Sequence, residues 1–293
     1  MFPGTPSLTA MYVALARSVA THEAALSLAC RDPVAHRLLP RSLRMLARMA
    51  ALSPTTARAL RYSQLGMFDH HAMRTALIDQ ALHAALERGA EQLVLLGAGL
   101  DTRGHRMPAL SNTVVFELDH AHTQDYKRVR VGSLAHGARE IRYASCDFEQ
   151  AGVAQALRGV GFDAMRPSCV IWEGVTMYLQ ESAVERMLSL LSQLCAPRST
   201  LIATYLLRST RAPSMRNWSV TRGLLRVVAE PLRFDASVAG MAERLRRHSF
   251  DTLGDVLPLA EARSFGVPPL PFPSASAAVR ERVVAAQRRA RRG

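Results

Sequence analysis

Lysine is almost missing from this chain of 293 residues. Of its 37 Lys and Arg residues only Lys127 is lysine, and the formal net charge is +13. So one-sided a choice suggests GC-rich coding rather than selection for a charged ligand, although surface arginines attract anions whatever their origin. Cysteine is sparse as well. Cys30, Cys146, Cys169 and Cys195 stand far apart with no C-x-x-C pair, which speaks against a zinc site and against a disulfide-dense secreted domain. Cys169 and Cys195 lie in apolar stretches and read as core fillers. His70 and His71 are adjacent and so do not share a helix face, and no metal is expected there. No run of 18 apolar residues occurs, so no membrane span is expected. Residues 1–6 place no basic region ahead of an apolar segment, so no secretory signal is expected and the setting reads as cytoplasmic. Aromatics make up 6% of the chain. The arginines are scattered and no nucleic-acid motif is recognisable, so nucleic acid is set aside as a partner despite the basic balance. What remains is 48% hydrophobic and 21% charged, ordinary for a globular protein with a sizeable core.

One stretch organises the rest. Leu93-Val94-Leu95-Leu96 reads as a strand buried on both faces and runs directly into Gly97-Ala98-Gly99. Glycines there allow a tight turn and close approach to a ligand. A second apolar strand, Val114-Val115-Phe116, ends in Glu117-Leu118-Asp119. Asp119 falls about 20 residues after the glycines, the offset at which a carboxylate reaches a ribose hydroxyl in nucleotide-binding βαβ units. The third glycine of G-x-G-x-x-G is replaced by Thr102. A pyrophosphate would lose a close approach, whereas an adenosine without phosphates would not need it. That tilts the expected cofactor from NAD or FAD towards S-adenosyl-L-methionine.

Leu95-Leu96-Gly97-Ala98-Gly99-Leu100-Asp101-Thr102-Arg103, followed by Val115-Phe116-Glu117-Leu118-Asp119, resembles the leucine carboxyl methyltransferase family. The nearer likeness is to its bacterial branch of S-adenosylmethionine-dependent O-methyltransferases, some acting on polyketides, and it extends more weakly from about Leu8 to about Gly266. The resemblance implies an α/β fold with a doubly wound, Rossmann-like class I methyltransferase sheet, a helical N-terminal cap and an inserted lid. Residues 1–90 are read as the cap, 91–266 as the cofactor-binding core with the lid at about 208–233, and 267–293 as a Pro-rich linker and basic tail. The segment 71–79 is similar to the family's Arg-Thr-x-x-x-Asp pattern and lands on Arg74, whose guanidinium is expected to hold the methionine carboxylate. Asp147-Phe148 matches the pair beside the adenine, the acid taking the exocyclic amine and Phe148 stacking on the ring. Asp147 also reads simply as a strand-end acid capping the helix near Val153. Glu173, after the strand Ser168 to Trp172, matches the glutamate bordering the cofactor at the carboxyl end of the sheet.

Elsewhere the fit loosens. Relatives carry Arg-Ala-Tyr-Arg or Arg-Ala-Trp-Arg where this chain has Arg103-Gly104-His105-Arg106. Gly104 weakens the expected helix over 103–110, and His105 alters a pocket wall or is merely solvated. Helices are expected over 11–28, 68–87, 180–194 and 234–248, and strands over 141–148, 200–206 and 252–257. Residues 275–292 carry an Ala/Val stripe and six arginines and read as a solvated basic segment, the alternative being a docking element. The expected activity is S-adenosylmethionine-dependent O-methylation of a small-molecule acceptor, a carboxylate or hydroxyl of a secondary metabolite. A hydroxyl would need a base, for which His105, His120 and His122 are candidates. No catalytic residue is assigned, and the sequence does not fix the oligomeric state. The rival is a non-catalytic S-adenosylmethionine-binding or regulatory protein that keeps the fold.

Overall fold

The structure is a computed structural model that describes residues 7–146, 152–208, 232–270 and 280–290. At its centre lies β1 (Gln92–Leu96), buried along its whole length, as a strand covered on both faces must be. β2 (Val114–Asp119) and β4 (Ser168–Trp172) pair with it in parallel on either side. β3 (Glu140–Ser145) lies outside β2 and β5 (Thr200–Leu206) outside β4. β6 (Phe250–Val256) forms the far edge, and β7 (Glu281–Arg288) is inserted antiparallel between β5 and β6. The resulting order is β3-β2-β1-β4-β5-β7-β6. The chain winds outward from β1 to β3 and then restarts beside β1 at β4. That reversal places the switch point of the sheet at the carboxyl ends of β1 and β4, where open α/β sheets take their ligands.

Before the sheet come α1 (Leu8–His22), α2 (Ala35–Leu38), α3 (Arg41–Leu52), α4 (Pro54–Ser63) and α5 (Met67–Glu87). Ser7 starts α1 by accepting the amides of Thr9 and Ala10. Ser53 starts α4 by accepting that of Thr56, with Pro54 in the first turn. These helices bury Val19, Leu26, Leu38, Phe68 and Met73 together, and Leu100 from the β1 loop joins the same cluster. The later half of α5 leaves the cap and packs Ile78, Leu82 and Ala85 onto Leu93, Cys169, Ile202 and Val283 of the sheet. The other face is covered by α8 (Val153–Gly159), α9 (Glu181–Leu194) and α10 (Val238–Arg247). α7 (Ala121–Val131) follows β2.

Three expectations change. The helix expected over 11–28 ends at His22, and a 3-10 turn at Leu26–Leu28 follows, its entry held by the Glu23 carboxylate, which accepts the amides of Ala25 and Leu26. The crossover helix shortens to a single turn, α6 (Arg103–Arg106), and a 3-10 turn at Pro108–Leu110 follows. Proline has no amide to donate and stops the helix. Gly104 has a packing role, because a Cβ there would stand 2.9 Å from Cδ1 of Ile141 on β3. The larger correction concerns the basic segment at the C-terminal end. Residues 281–288 are not a solvated appendage but β7, inside the sheet. The Val/Ala run is the signature of a strand buried on both faces, not of a helix stripe: Val283, Val284 and Ala286 are core residues. Its arginines are bound locally, Arg282 to Asp255 at 2.6 Å and Arg288 to the carbonyl of Ser192 at 2.9 Å. The expected lid falls almost wholly on residues 209–231, outside the described residues.

Candidate active site

The turn after β1 begins at Gly97, whose φ is +70°, and passes Gly99 at +46°. The amides of Gly97 and Ala98 both donate to the carbonyl of Leu118 at 2.9 Å, which pulls the turn against the end of β2. A Cβ at Gly97 would sit 2.5 Å from Cγ2 of Val175 in the loop after β4, so any other residue there must displace that side chain as well as adopt a positive φ. Asp119 completes the turn. Its Oδ2 accepts the Gly99 amide at 2.6 Å and its Oδ1 accepts the His120 amide at 2.7 Å. Each oxygen keeps a further lone-pair direction for another donor.

Arg74 reaches the same edge of the sheet from α5. Its Nε donates to Oε1 of Glu173 at 2.9 Å, and its Nη1 donates to Glu281 at 2.9 and 3.1 Å. Arg74 and Glu281 are buried. Glu173 shares its other oxygen with Arg103, whose Nη1 donates to Oε2 at 2.8 Å. Burial pushes the Glu173 carboxyl up, but Arg103 and Arg74 outweigh it and hold it below its usual range. Glu281 is likewise raised by burial and lowered further by Arg74 and by His70, whose Nε2 lies 2.7 Å from Oε2. Sequence reasoning missed Glu281. It is the single acid in residues 267–293, and a lone carboxylate in an otherwise basic and apolar segment is the signal that could have marked it.

Arg103 ties this cluster to the glycine turn. Besides Glu173 it donates to Asp79 at 2.7 Å and pairs closely with Asp101. A continuous line of contacts thus runs from Arg74 through Glu173 and Arg103 to Asp101, two residues from the Gly99–Asp119 bond. Thr102, where a third glycine would stand, is buried and donates to Oδ2 of Asp32 at 2.5 Å. Asp32 in turn pairs with Arg17 of α1 at 2.9 Å. The threonine is therefore a latch between cap and turn. Lys127 is buried beside Glu117, with Nζ 2.5 Å from Oε2.

The candidate sites separate in space. Arg74, Gly97, Gly99, Asp119 and Glu173 gather at the carboxyl ends of β1, β2 and β4. Asp147 and Phe148 lie outside the described residues. His120 and His122 are exposed at the start of α7. His105 is half-buried beside His136, ring centroids 6.4 Å apart, and burial together with Lys127 and His136 lowers its pKa to about 4.

A buried guanidinium, a left-handed glycine turn and strand-end acids meet at the switch point of a doubly wound α/β sheet, the class of scaffold that takes nucleotide-like ligands there. Comparisons with known proteins agree with that class. The family profile "Leucine carboxyl methyltransferase" matches residues 10–192, more than half of the chain, and the chain belongs to that family. A Mycolicibacterium gilvum protein described as a candidate S-adenosyl-L-methionine-dependent methyltransferase is 35% identical over 168 residues, covering 57% of this chain and 52% of that protein. One from Mycobacterium avium, of the same description, is 33% identical over 205 residues, covering 66% and 64%. The chain thus spans about half to two-thirds of the length of these relatives. Among solved structures, a candidate methyltransferase from Thermobifida fusca is 17% identical with a TM-score of 0.59, covering 98% of this chain and 96% of its own. A DUF574 family protein from Streptomyces avermitilis is 12% identical with a TM-score of 0.57, covering 97% and 98%. The fold is that of the Rossmann-like class I methyltransferases.

Proposed function

We propose that this chain is an S-adenosylmethionine-dependent O-methyltransferase acting in the cytoplasm on a small molecule, a carboxylate or hydroxyl of a secondary metabolite. The observation that carries the reading is the contact line joining Arg74, Glu173 and Arg103 to the glycine turn and Asp119, residues brought together from four separate stretches of sequence. The donor set suits the cofactor. Asp119 retains lone pairs for ribose hydroxyls, Gly97 and Gly99 give the left-handed turn that brings the backbone to the end of β2, and Arg74 is the cation for a carboxylate. Asp147 and Phe148 are assigned to the adenine by their match to the family pattern.

The bound cofactor would supply an electrophilic methyl carbon on a sulfonium. Transfer of that methyl to an acceptor oxygen would leave S-adenosylhomocysteine. The chain's own contribution is in-line positioning and exclusion of water. A carboxylate acceptor is ionised at neutral pH and needs no base. A hydroxyl acceptor must lose its proton, and His105, neutral at pH 7, or the exposed His120 and His122 are the groups to receive it.

A second reading, a protein that binds S-adenosylmethionine without turnover, rests on Gly104-His105, which stand where relatives carry Ala-Tyr or Ala-Trp. The Arg74 guanidinium is already engaged by Glu173 and Glu281, so a ligand carboxylate must displace one of them or take the remaining N–H. Calorimetric titration with S-adenosylmethionine, followed by incubation with carboxylate and phenol acceptors and mass detection of S-adenosylhomocysteine, separates the two. Binding with acceptor-dependent S-adenosylhomocysteine supports the enzyme, and binding without it supports the second reading. Saturable NADH fluorescence, competed by NAD, would overturn both.

A further inference from the structure

Residues 33–68 contain six arginines and no acidic residue. Arg61 is taken by Asp69 and Glu23 inside the cap. The other five, Arg37, Arg41, Arg44, Arg48 and Arg58, have no carboxylate partner among the described residues. Three of them, with His36 and with Arg130 and Val129 of α7, line an open cavity of about 550 Å³ on the outer side of the cap. Arg44 spends its Nη2 on the carbonyls of Arg37 and Leu39 at 2.9 and 3.0 Å, and Arg130 lies 3.3 Å over the ring of Tyr126. The Nε groups of Arg44 and Arg130 are shielded and have no acceptor among the described residues. Burial, then the charges of Arg37 and Arg44, depress His36. The region is a concentration of positive charge with donors left over.

Beside it, α3 turns apolar side chains outward. Met45, Met49 and Leu52 are 59%, 49% and 84% exposed, and Val129 at the cavity's rim is 80% exposed. At 3.6 residues per turn, Arg41, Met45, Arg48, Met49 and Leu52 share one face. Its buried face, with Ala47 and Ala50, is already used by the cap. No helix among the described residues is long and apolar enough to cross a membrane. A solvent face that combines arginines with protruding aliphatic side chains, and lacks acids, matches the interfacial region of an anionic bilayer, where guanidiniums meet phosphates and apolar tips enter the acyl boundary. A nucleic acid would call for stacking aromatics, and the ring here, Tyr126, is covered by Arg130.

We infer that α3, with the adjoining arginine-lined cavity, is a docking surface for an anionic phospholipid membrane. Phosphate headgroups enter the cavity, and Met45, Met49 and Leu52 sit at the acyl boundary.

The test uses the full chain and sedimentation with vesicles of about 30% phosphatidylserine in phosphatidylcholine, against phosphatidylcholine alone. Wild type should bind the anionic vesicles only, and the binding should fall as salt is raised. The exposed triple variant R37Q/R41Q/R48Q should lose about 100-fold in partitioning at low salt, the loss expected for three arginines at a charged interface. R139Q/R158Q/R263Q removes the same charge from exposed positions elsewhere and should retain most of the binding. M45S/M49S/L52S should weaken binding while keeping its salt dependence. Equal loss in both arginine variants would mean that net charge alone is sensed and would overturn the proposal. So would equal binding to both vesicle types, or no vesicle binding together with capture of an oligonucleotide or an acidic peptide through the same arginines. Thermal melts of each variant confirm that the loss is not unfolding.

Discussion

Arg61 and Arg74 are both buried, and each guanidinium lies between two carboxylates, yet the two settings differ. Arg61 closes the cap on itself: Asp69 accepts its Nε and Nη2, and Glu23 receives its Nη1 at 3.3 Å. Glu23 also accepts the amides of Ala25 and Leu26, so the acid caps a turn as well as neutralising a charge. Burial keeps the Asp69 carboxyl raised in spite of Arg61. Around Arg74 the balance reverses: burial is outweighed by Arg103 and Arg74 at Glu173 and by Arg74 and His70 at Glu281, and both acids are held low. Its acids come from the end of β4 and the start of β7, beside the glycine turn. A buried arginine between acids is therefore not itself a sign of function. Its position at the carboxyl edge of a doubly wound sheet, within one chain of contacts of a left-handed glycine turn, is what distinguishes Arg74.

The largest expected effect comes from removing the element that distinguishes the Arg74 cluster. A chain ending after Phe272 lacks β7, so β5 and β6 lose their shared partner and Arg74 and His70 lose Glu281. It should show no cooperative thermal unfolding by circular dichroism. A retained cooperative melt would show that the sheet closes without β7. Next come the arginines themselves. Arg61→Ala leaves Asp69 and Glu23 buried without their cation and should cost about 3–5 kcal/mol in urea unfolding. Arg74→Ala should cost a similar amount, and it alone should change ligand preference. Wild type should favour S-adenosylmethionine over methylthioadenosine, which lacks the carboxylate, and Arg74→Ala should lose most of that preference. If Arg61→Ala loses it equally, the contrast between the two arginines is wrong.

The legibility of these regions in the sequence follows from range. β1 and its turn announce themselves because a buried parallel strand is a continuous apolar run and the turn needs glycines, both local requirements. Asp119 is legible by its offset, since one βαβ unit has a nearly fixed length. Arg74 and Glu173 carry no local signal that separates them from dozens of other charged residues, and only their match to family motifs singles them out. Glu281 could not be found that way. Its partner in the chain is 207 residues away, and its strand reads as basic because arginines flank a short Val/Ala run. Thr102 looked like a missing glycine. Only the placement of Asp32 and Arg17 against it shows why a hydroxyl belongs there.

A smaller effect is expected at the turn itself. Asp119→Ala removes an acceptor that holds the Gly99 and His120 amides and, in the proposed function, the ribose. Affinity for S-adenosylmethionine should fall by about 1.5–3 kcal/mol, the worth of charge-assisted hydrogen bonds, with stability reduced less than in either arginine variant. Titration calorimetry on a variant shown to be folded measures this, and unchanged affinity would remove Asp119 from the site.

The smallest effect is in the acid limb of stability, where the two clusters should move in opposite directions. Burial raises Glu281, but Arg74 and His70 outweigh it, so its folded pKa lies below the ordinary value of 4.5. The unfolded chain then binds that proton more readily. Stability from this group is present above the ordinary value and is lost as pH falls towards the folded pKa. For Asp69, burial outweighs Arg61 and the folded pKa lies above the ordinary 3.8. Stability from that group is present below the ordinary value and is lost as pH rises through the folded pKa. On acidification from about pH 5 to pH 3, wild type should therefore lose stability at Glu281 and recover some at Asp69. Glu281→Gln should lose less than wild type over the same interval, because the group that must take up a proton is gone. Asp69→Asn should lose more, because the compensating protonation is gone. Urea midpoints measured across that interval check the difference in sign. Parallel curves for the two variants would show that the Arg61 and Arg74 clusters hold their acids in the same way, and the contrast between cap and site would then rest on position alone.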